Sequence, residues 1–229
     1  MRAFDLVYCC RLYGETVGFD ASLARFWDAT GDRVDLAQPD HRELTVAWLR
    51  SWGCRNLRVE DTQITLALLA DWAGRWQQRL HAVETTLDDL SDKELDVAAA
   101  AYEDLAFRPA ARRQQGNRLI DVKFGPTAAA KALFAVRPRA LAPWDDAIRK
   151  ALGYDGSAQS YRDALVRARR ELNEAIADAG VPAEQLPDLV GRPLSPPPKL
   201  IDEHDWVRYA ARHVPPSELE LRAWLRLFG

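Results

Sequence analysis

Nearly every segment of this chain spaces its apolar residues by three and four, and none alternates them by two. The clearest stripe is Leu66, Leu69, Trp72, Trp76 and Leu80, within DTQITLALLADWAGRWQQRLHA. A period near 3.6 sets such residues on one side of a helix, so the chain must bury helix faces against one another. ASLARFWDA and HRELTVAWLRSW carry the same spacing. Ser91 and Glu94 make a capping-box pattern before DKELDVAAAAYEDLAF, a helix predicted to end near Arg108. GSAQSYRDALVRARRELNEAIADAG predicts a long helix, with Ser157 or Ser160 as N-cap and Gly180 at its C-terminal end. Ser217 and Glu220 make a second capping box, opening a helix that turns Leu221, Trp224, Leu225 and Phe228 inward.

The connections are expected to be irregular. RPAARRQQGNRLIDVKF is polar and basic and reads as a loop. The proline-rich stretch at about 181–200 reads as an extended wrap over the surface, followed by a helix from about Asp205 to Arg212. No hairpin signal is read anywhere. The fold class expected is therefore all-α, a single two-lobed helical domain over residues 1–229. Most of the eight tryptophans fall at stripe positions and are expected in the core.

Several function classes fall away on composition. No run of about 18 apolar residues is present, so no membrane span is expected. MRAFDLVYCCRLYG lacks the apolar core and cleavage site of a signal peptide. Cys9, Cys10 and Cys54 make no CxxC or Cys/His pairing, which argues for a reducing compartment and against a disulfide framework or zinc site. A cytoplasmic monomer without metal or cofactor is expected. Asp202, Glu203, His204 and Asp205 form the one ligand-rich run, read as helix-start chemistry before Trp206.

Net charge is −3, too acidic overall for a general nucleic-acid binder. Its distribution says more. Ten cations and three aspartates lie between Arg108 and Lys150, a local excess of +7 that leaves −10 for the rest. A polyanion would meet a positive band on an acidic body.

Inside that band lies GPTAAAKALFAVRPRALAPWDDAIRKALG, residues 125–153. Gly125 precedes a helix start, where free backbone N–H groups and a partial positive charge favour an anion. Pro126 fits the first turn, Thr127 offers a hydroxyl, and Lys123 stands just outside. Twenty residues after Gly125 comes Asp145, followed by Asp146, with Ile148 three residues beyond Asp145. One aspartate at a helix start is ordinary capping. The spacing and the flanking cations add to it.

This order of glycine turn, small-residue helix, proline-bounded loop and aspartate resembles the helix-hairpin-helix DNA glycosylase superfamily, over about residues 112–153. The resemblance implies a helix-hairpin-helix element gripping one strand of double-stranded DNA, and a catalytic aspartate at Asp145. The Asp-Asp doublet leaves Asp146 as the alternative. The pattern also departs from the family. Lys123 stands at the first hairpin glycine, Thr127 at the lysine of bifunctional members, and Ala147 where a histidine often follows. No cysteine cluster for an iron–sulfur centre follows. Lys131, one turn beyond Thr127, is the substitute amine; monofunctional action is the default. Some distant bacterial members look like anti-phage enzymes that remove glucosylated hydroxymethylcytosine, so a role in antiviral defence is among the implications.

The chemistry explains the residue types. Breaking an N-glycosidic bond builds positive charge on the sugar, which a partly desolvated carboxylate stabilises. The base must first be flipped out, at a cost of a few kcal/mol that phosphate contacts offset. Arg113, Arg118, Lys123, Gly125 and Thr127 are the DNA-binding candidates. Trp144, Trp48 and Trp52 are the base-pocket candidates, with Tyr8 beside them. Gln115 and Asn117, in Gln114-Gln115-Gly116-Asn117, are the candidate wedge. Two other readings stand. Arg208 and His213, separated by four residues, resemble the motif of HEPN-type ribonucleases. A non-catalytic helical module would bind DNA or protein through the basic face.

Overall fold

A computed structural model describes residues 1–17, 20–31, 33–57, 62–217, 219–220 and 223. Helices α1 (Ala3–Thr16), α2 (Asp20–Thr30), α3 (Pro39–Ser51), α4 (Gln63–Trp76) and α5 (Asp92–Ala106) come first. A strand pair, β1 (Pro109–Gln115) and β2 (Arg118–Lys123), interrupts them. Then come α6 (Pro126–Val136), α7 (Asp146–Ala151), α8 (Ala158–Ala179), α9 (Leu186–Leu189) and α10 (Pro197–Asp205), with a π-helical turn at Trp206–Ala210. The chain is mostly helical, as its periodicity demands.

Local chemistry sets the helix ends. Ser91 and Glu94 form their reciprocal capping box on α5. Ser157 caps α8 by accepting from Ser160 N–H, and Gly180 ends it in the left-handed region at φ 66. In α8 the buried residues Tyr161, Leu165, Ala168, Leu172 and Ala175 step by four and three, so one stripe faces inward. The Ser217–Glu220 box also forms. The side chains expected inward after it, Leu221, Trp224, Leu225 and Phe228, lie outside the described residues.

Helix α6 is the exception to one-sided burial. All nine residues from 128 to 136 are buried. Four alanines at 128, 129, 130 and 132 keep it thin, so α3 and α5 pack closely on it. One hydrophobic cluster runs from Leu6 on α1 to Ile201 on α10 around this helix. A lysine, Lys131, is buried in it.

Several expectations are corrected. The segment read as a loop is an antiparallel hairpin, pairing Arg113 with Ile120 and Gln115 with Arg118. Its two-residue turn is Gly116-Asn117, and Gly116 takes φ 59, which suits glycine in a tight reversal. Most of the hairpin is exposed, so no apolar alternation marks it. Strand β2, not a helix, therefore leads into Gly125, where the helix-hairpin-helix likeness implied a helix.

The proline-rich wrap is only partly extended. It holds a 3-10 turn at Ala183–Gln185, then α9, and its last residues already belong to α10. Pro197 and Pro198 occupy the first turn of α10, where a missing N–H costs nothing. The helix expected from Asp205 to Arg212 thus begins eight residues earlier, at Pro197. Consequently Asp202, Glu203, His204 and Asp205 lie in the last turns of α10 and are buried, not at a helix start.

Candidate active site

Asp145 stands at the N-cap position of α7, in extended conformation, yet makes no capping hydrogen bond. Its Oδ1 lies 2.7 Å from Lys131 Nζ. The lysine side chain is 6% exposed and the aspartate 32%, so the pair opens to solvent on the carboxylate side. Lys131 Nζ also donates to Trp52 carbonyl oxygen at 2.8 Å and sits 5.2 Å from the Trp52 ring centre. The candidate acid and the candidate amine, fourteen residues apart in sequence, are thus one ion pair.

Asp146 is placed differently. It is 53% exposed and bonds Arg149 and Lys150 on its own helix. Its hydrogen bond from Lys150, with further help from Arg149, holds its pKa below the ordinary value. That carboxylate is used in local helix contacts.

A second charged group meets the same tryptophan. Lys199 of α10 is fully buried, 5.6 Å from the Trp52 ring centre and 4.3 Å from that of Tyr13. It bonds Asp202 at 2.7 Å and lies 3.6 Å from Glu203. Glu203 in turn accepts from Arg192 at 3.0 and 3.1 Å and from Ser195 at 2.8 Å. Burial pulls against the charge on Lys199, yet Asp202 and Glu203 hold its pKa above the lysine value. Burial raises the pKa of Asp202; the Asp145 charge adds to this, and Lys199 opposes it. Cys54 nearby is raised to about 11 by burial, so it is a thiol at neutral pH.

The Gly125 bend closes the far end of α6. Gly125 has φ 89, and a Cβ there would stand 3.1 Å from Asn56 Nδ2. Asn56 donates to the carbonyls of Lys123 and Phe124, tying the strand end to the body. Pro126 packs on Gly156, next to Arg149, so the bend meets the loop between α7 and α8. Thr127 is half-buried in the first turn.

The basic band sorts itself by partner. Arg137 is buried and donates to the carbonyls of His81 and Gln77. Arg108 pairs with Asp71, and Arg112 with Asp121. Lys123 lies 5.4 Å from the centre of the Phe107 ring. Arg113 and Arg118 are exposed and make no ion pair among the described residues. The register puts Arg113, Gln115, Arg118 and Ile120 on one hairpin face, with Arg112, Asp121, Gln114 and Leu119 on the other. Gln115 and Asn117 are exposed at its tip.

The aromatic candidates separate too. Trp48 is buried and stacks on Phe26 at 4.8 Å. Trp144 is buried among Tyr102, Tyr154 and Tyr161. Of the three tryptophans only Trp52 meets the two lysines. Tyr8 packs with Cys9, Tyr13 and Val207. Arg208 belongs to the π-helical turn, whereas His213 lies beyond Arg212, which takes φ 60, so no single helix presents both.

Lys199, Arg192 and Ser195 were not sequence candidates, and Asp202 and Glu203 stood out only as part of the ligand-rich run read as helix-start chemistry. Lys199, Asp202 and Glu203 stand at i, i+3 and i+4, a helical signal that three consecutive prolines obscured. No helix among the described residues is long and apolar enough to cross a membrane. Comparison with family models, with curated proteins and with solved structures finds no match.

Proposed function

We propose that this protein is a DNA N-glycosylase in which Asp145 and Lys131 form the reacting pair. The observation that carries the reading is the 2.7 Å contact between them, with the lysine buried and the carboxylate open to solvent. Sequestering charge in a core costs several kcal/mol per ion after relaxation, so such pairs concentrate where a site uses them. The likeness to helix-hairpin-helix glycosylases rests on the Gly125-to-Asp145 spacing, with strand β2 in place of the first helix.

In this reading the hairpin binds double-stranded DNA. Arg113 and Arg118 meet phosphates, and the tip at Gln115 and Asn117 enters the stack as a base swings out. The bond from the sugar C1′ to the base nitrogen breaks, and its electron pair leaves with the base, which takes a proton from solvent water. Asp145 stabilises the cation left on the sugar. A water oxygen then bonds C1′ and gives its proton to the carboxylate, leaving an abasic site. Lys131 orients the carboxylate through the 2.7 Å contact; in the amine alternative its nitrogen would bond C1′ in place of water, giving up a proton to Asp145 instead of the water's.

The test is a panel of duplexes with oxidised, alkylated, deaminated and glucosylated hydroxymethylated bases, heated in alkali after incubation. Breaks at one modified base, lost in Asp145→Asn with DNA binding retained, are expected. A borohydride-trapped adduct that disappears in Lys131→Gln would move the reading to amine chemistry. DNA binding without breaks on any duplex would leave a binding module and defeat the enzyme reading.

A further inference from the structure

Between α8, α10 and the residues leading into α7 lies a small cavity of about 20 Å³. Its lining includes Trp144, Arg167, Asp202 and Asp205, set among Ile148, Tyr161 and Ile201. That volume suits about one water, which needs two to four polar partners to be stable in a protein interior.

The polar partners are present. Trp144 is 4% exposed, and its Nε1–H is buried with no acceptor among the described residues. Arg167 directs its two terminal nitrogens to Glu171 and Asp205, while its Nε–H is buried and also lacks an acceptor among the described residues. Two buried donors without partners therefore belong to residues lining one cavity. An unsatisfied buried donor costs about 1–3 kcal/mol, so two beside one void are not incidental. The acceptors on the same wall are carboxylates. Asp202 has one oxygen on Lys199, and Asp205 binds Arg167 and lies 3.2 Å from His204 Nδ1.

We propose that this cavity is a water site, in which one water accepts from Trp144 Nε1 and Arg167 Nε and donates to Asp202 and Asp205. Held so, with Lys199 on its other oxygen, Asp202 is a positioning residue for the Lys131–Asp145 pair, because Lys199 and Lys131 share the Trp52 ring at 5.6 and 5.2 Å. This second role rests on the function proposed above; the water site does not. Asp202 feels Lys199 on its own helix, Lys131 on α6 and Asp145 before α7, and it faces Tyr13 on α1; Arg167 lines the same cavity. An ionised Asp202 adds a second negative charge beside the Lys131–Asp145 pair; a protonated one does not.

The experiment observes the Trp144 indole N–H by NMR in the full chain, assigned by its loss in Trp144→Phe. Cross-relaxation with a slowly exchanging water is expected. Its shift should also follow a titration above the ordinary carboxylate range, absent in Asp202→Asn and displaced downward in Asp145→Asn. An indole proton with no water contact, or one indifferent to Asp202→Asn, would overturn the proposal. On modified duplexes, Asp202→Asn should move the acid limb of the pH profile, not merely lower its height. If no duplex is cut by the unaltered protein, the glycosylase reading fails while the water measurement still decides the site.

Discussion

Lys131, midway along α6, and Asp145, at the N-cap position of α7, meet across the segment that joins the two helices, and the lysine is anchored at the meeting point by the Trp52 carbonyl. Each partner makes the other tolerable. Removing the carboxylate leaves a buried ammonium with one carbonyl acceptor, and removing the lysine frees the aspartate to hydrate at its open side. Asp145→Ala should therefore destabilise by about 2 kcal/mol, near the value of a hydrogen bond to a charged group. Lys131→Met should cost less, and the double variant less than the sum of the two. Chemical denaturation of the four proteins measures the coupling. Strictly additive losses would show that the pair contributes nothing as a pair.

His81 offers a test by pH. It is buried, with neither ring nitrogen hydrogen-bonded among the described residues, and burial together with the Arg137 charge lowers its pKa to about 4. The unfolded chain binds this proton below the ordinary value of 6.5, the folded protein only below about 4. Between those limits the unfolded state carries more protons, so stability rises with pH and is lost as pH falls. The full loss is roughly 3 kcal/mol at most. Asp202 acts with the opposite sign just above the carboxylate range, because its raised pKa favours the folded state when protonated. The comparison is therefore His81→Phe against the parent, by denaturation from pH 7 to pH 4. The variant should show the flatter slope; equal slopes would mean that His81 is hydrated in the fold.

The helices and caps could be read from local chemistry, because each depends on residues within one or two turns. Ser91–Glu94, Ser157 and Gly180 act as their types dictate. The hairpin was hidden for a physical reason: with both faces largely solvated, its strands need no alternation. The Gly116-Asn117 turn carried the missing signal. At the candidate site, the basic bend and Asp145 were visible as spacing. The Lys131 contact was open to suggestion, since α6 turns that residue towards the loop. The Lys199 group was not, because only tertiary packing brings Tyr13, Trp52 and α10 together.

Gly125 is fixed by conformation and by space. At φ 89 an L side chain is strained, and Asn56 Nδ2 stands 3.1 Å from where its Cβ would be. Gly125→Ala should cost about 1–2 kcal/mol, since both the backbone and the Asn56 bonds to Lys123 and Phe124 must shift. For a chain of this size that lowers Tm by roughly 2–8 °C. Asn56→Ala in the same background should recover part of the clash term but not the backbone term. A calorimetric Tm unchanged by Gly125→Ala would mean that the bend relaxes freely.

The hairpin faces make the last prediction the most discriminating for nucleic acid. Arg113 and Arg118 share one face without ion pairs among the described residues, whereas Arg112 on the other is bound to Asp121. A phosphate contact releases counterions, so each lost contact lowers the slope of log affinity against log salt by about 1. Arg113→Ala with Arg118→Ala should weaken duplex binding and reduce that slope by about 2. Arg112→Ala should change it little, because Asp121 already offsets that charge. Both substitutions lie on exposed strand positions, so stability should stay within roughly 0.5 kcal/mol of the parent. Fluorescence anisotropy with a short duplex at several salt concentrations reads the slopes. A slope equally sensitive to Arg112 would show that binding follows total charge and not the face. A slope insensitive to all three would remove the hairpin from the DNA contact.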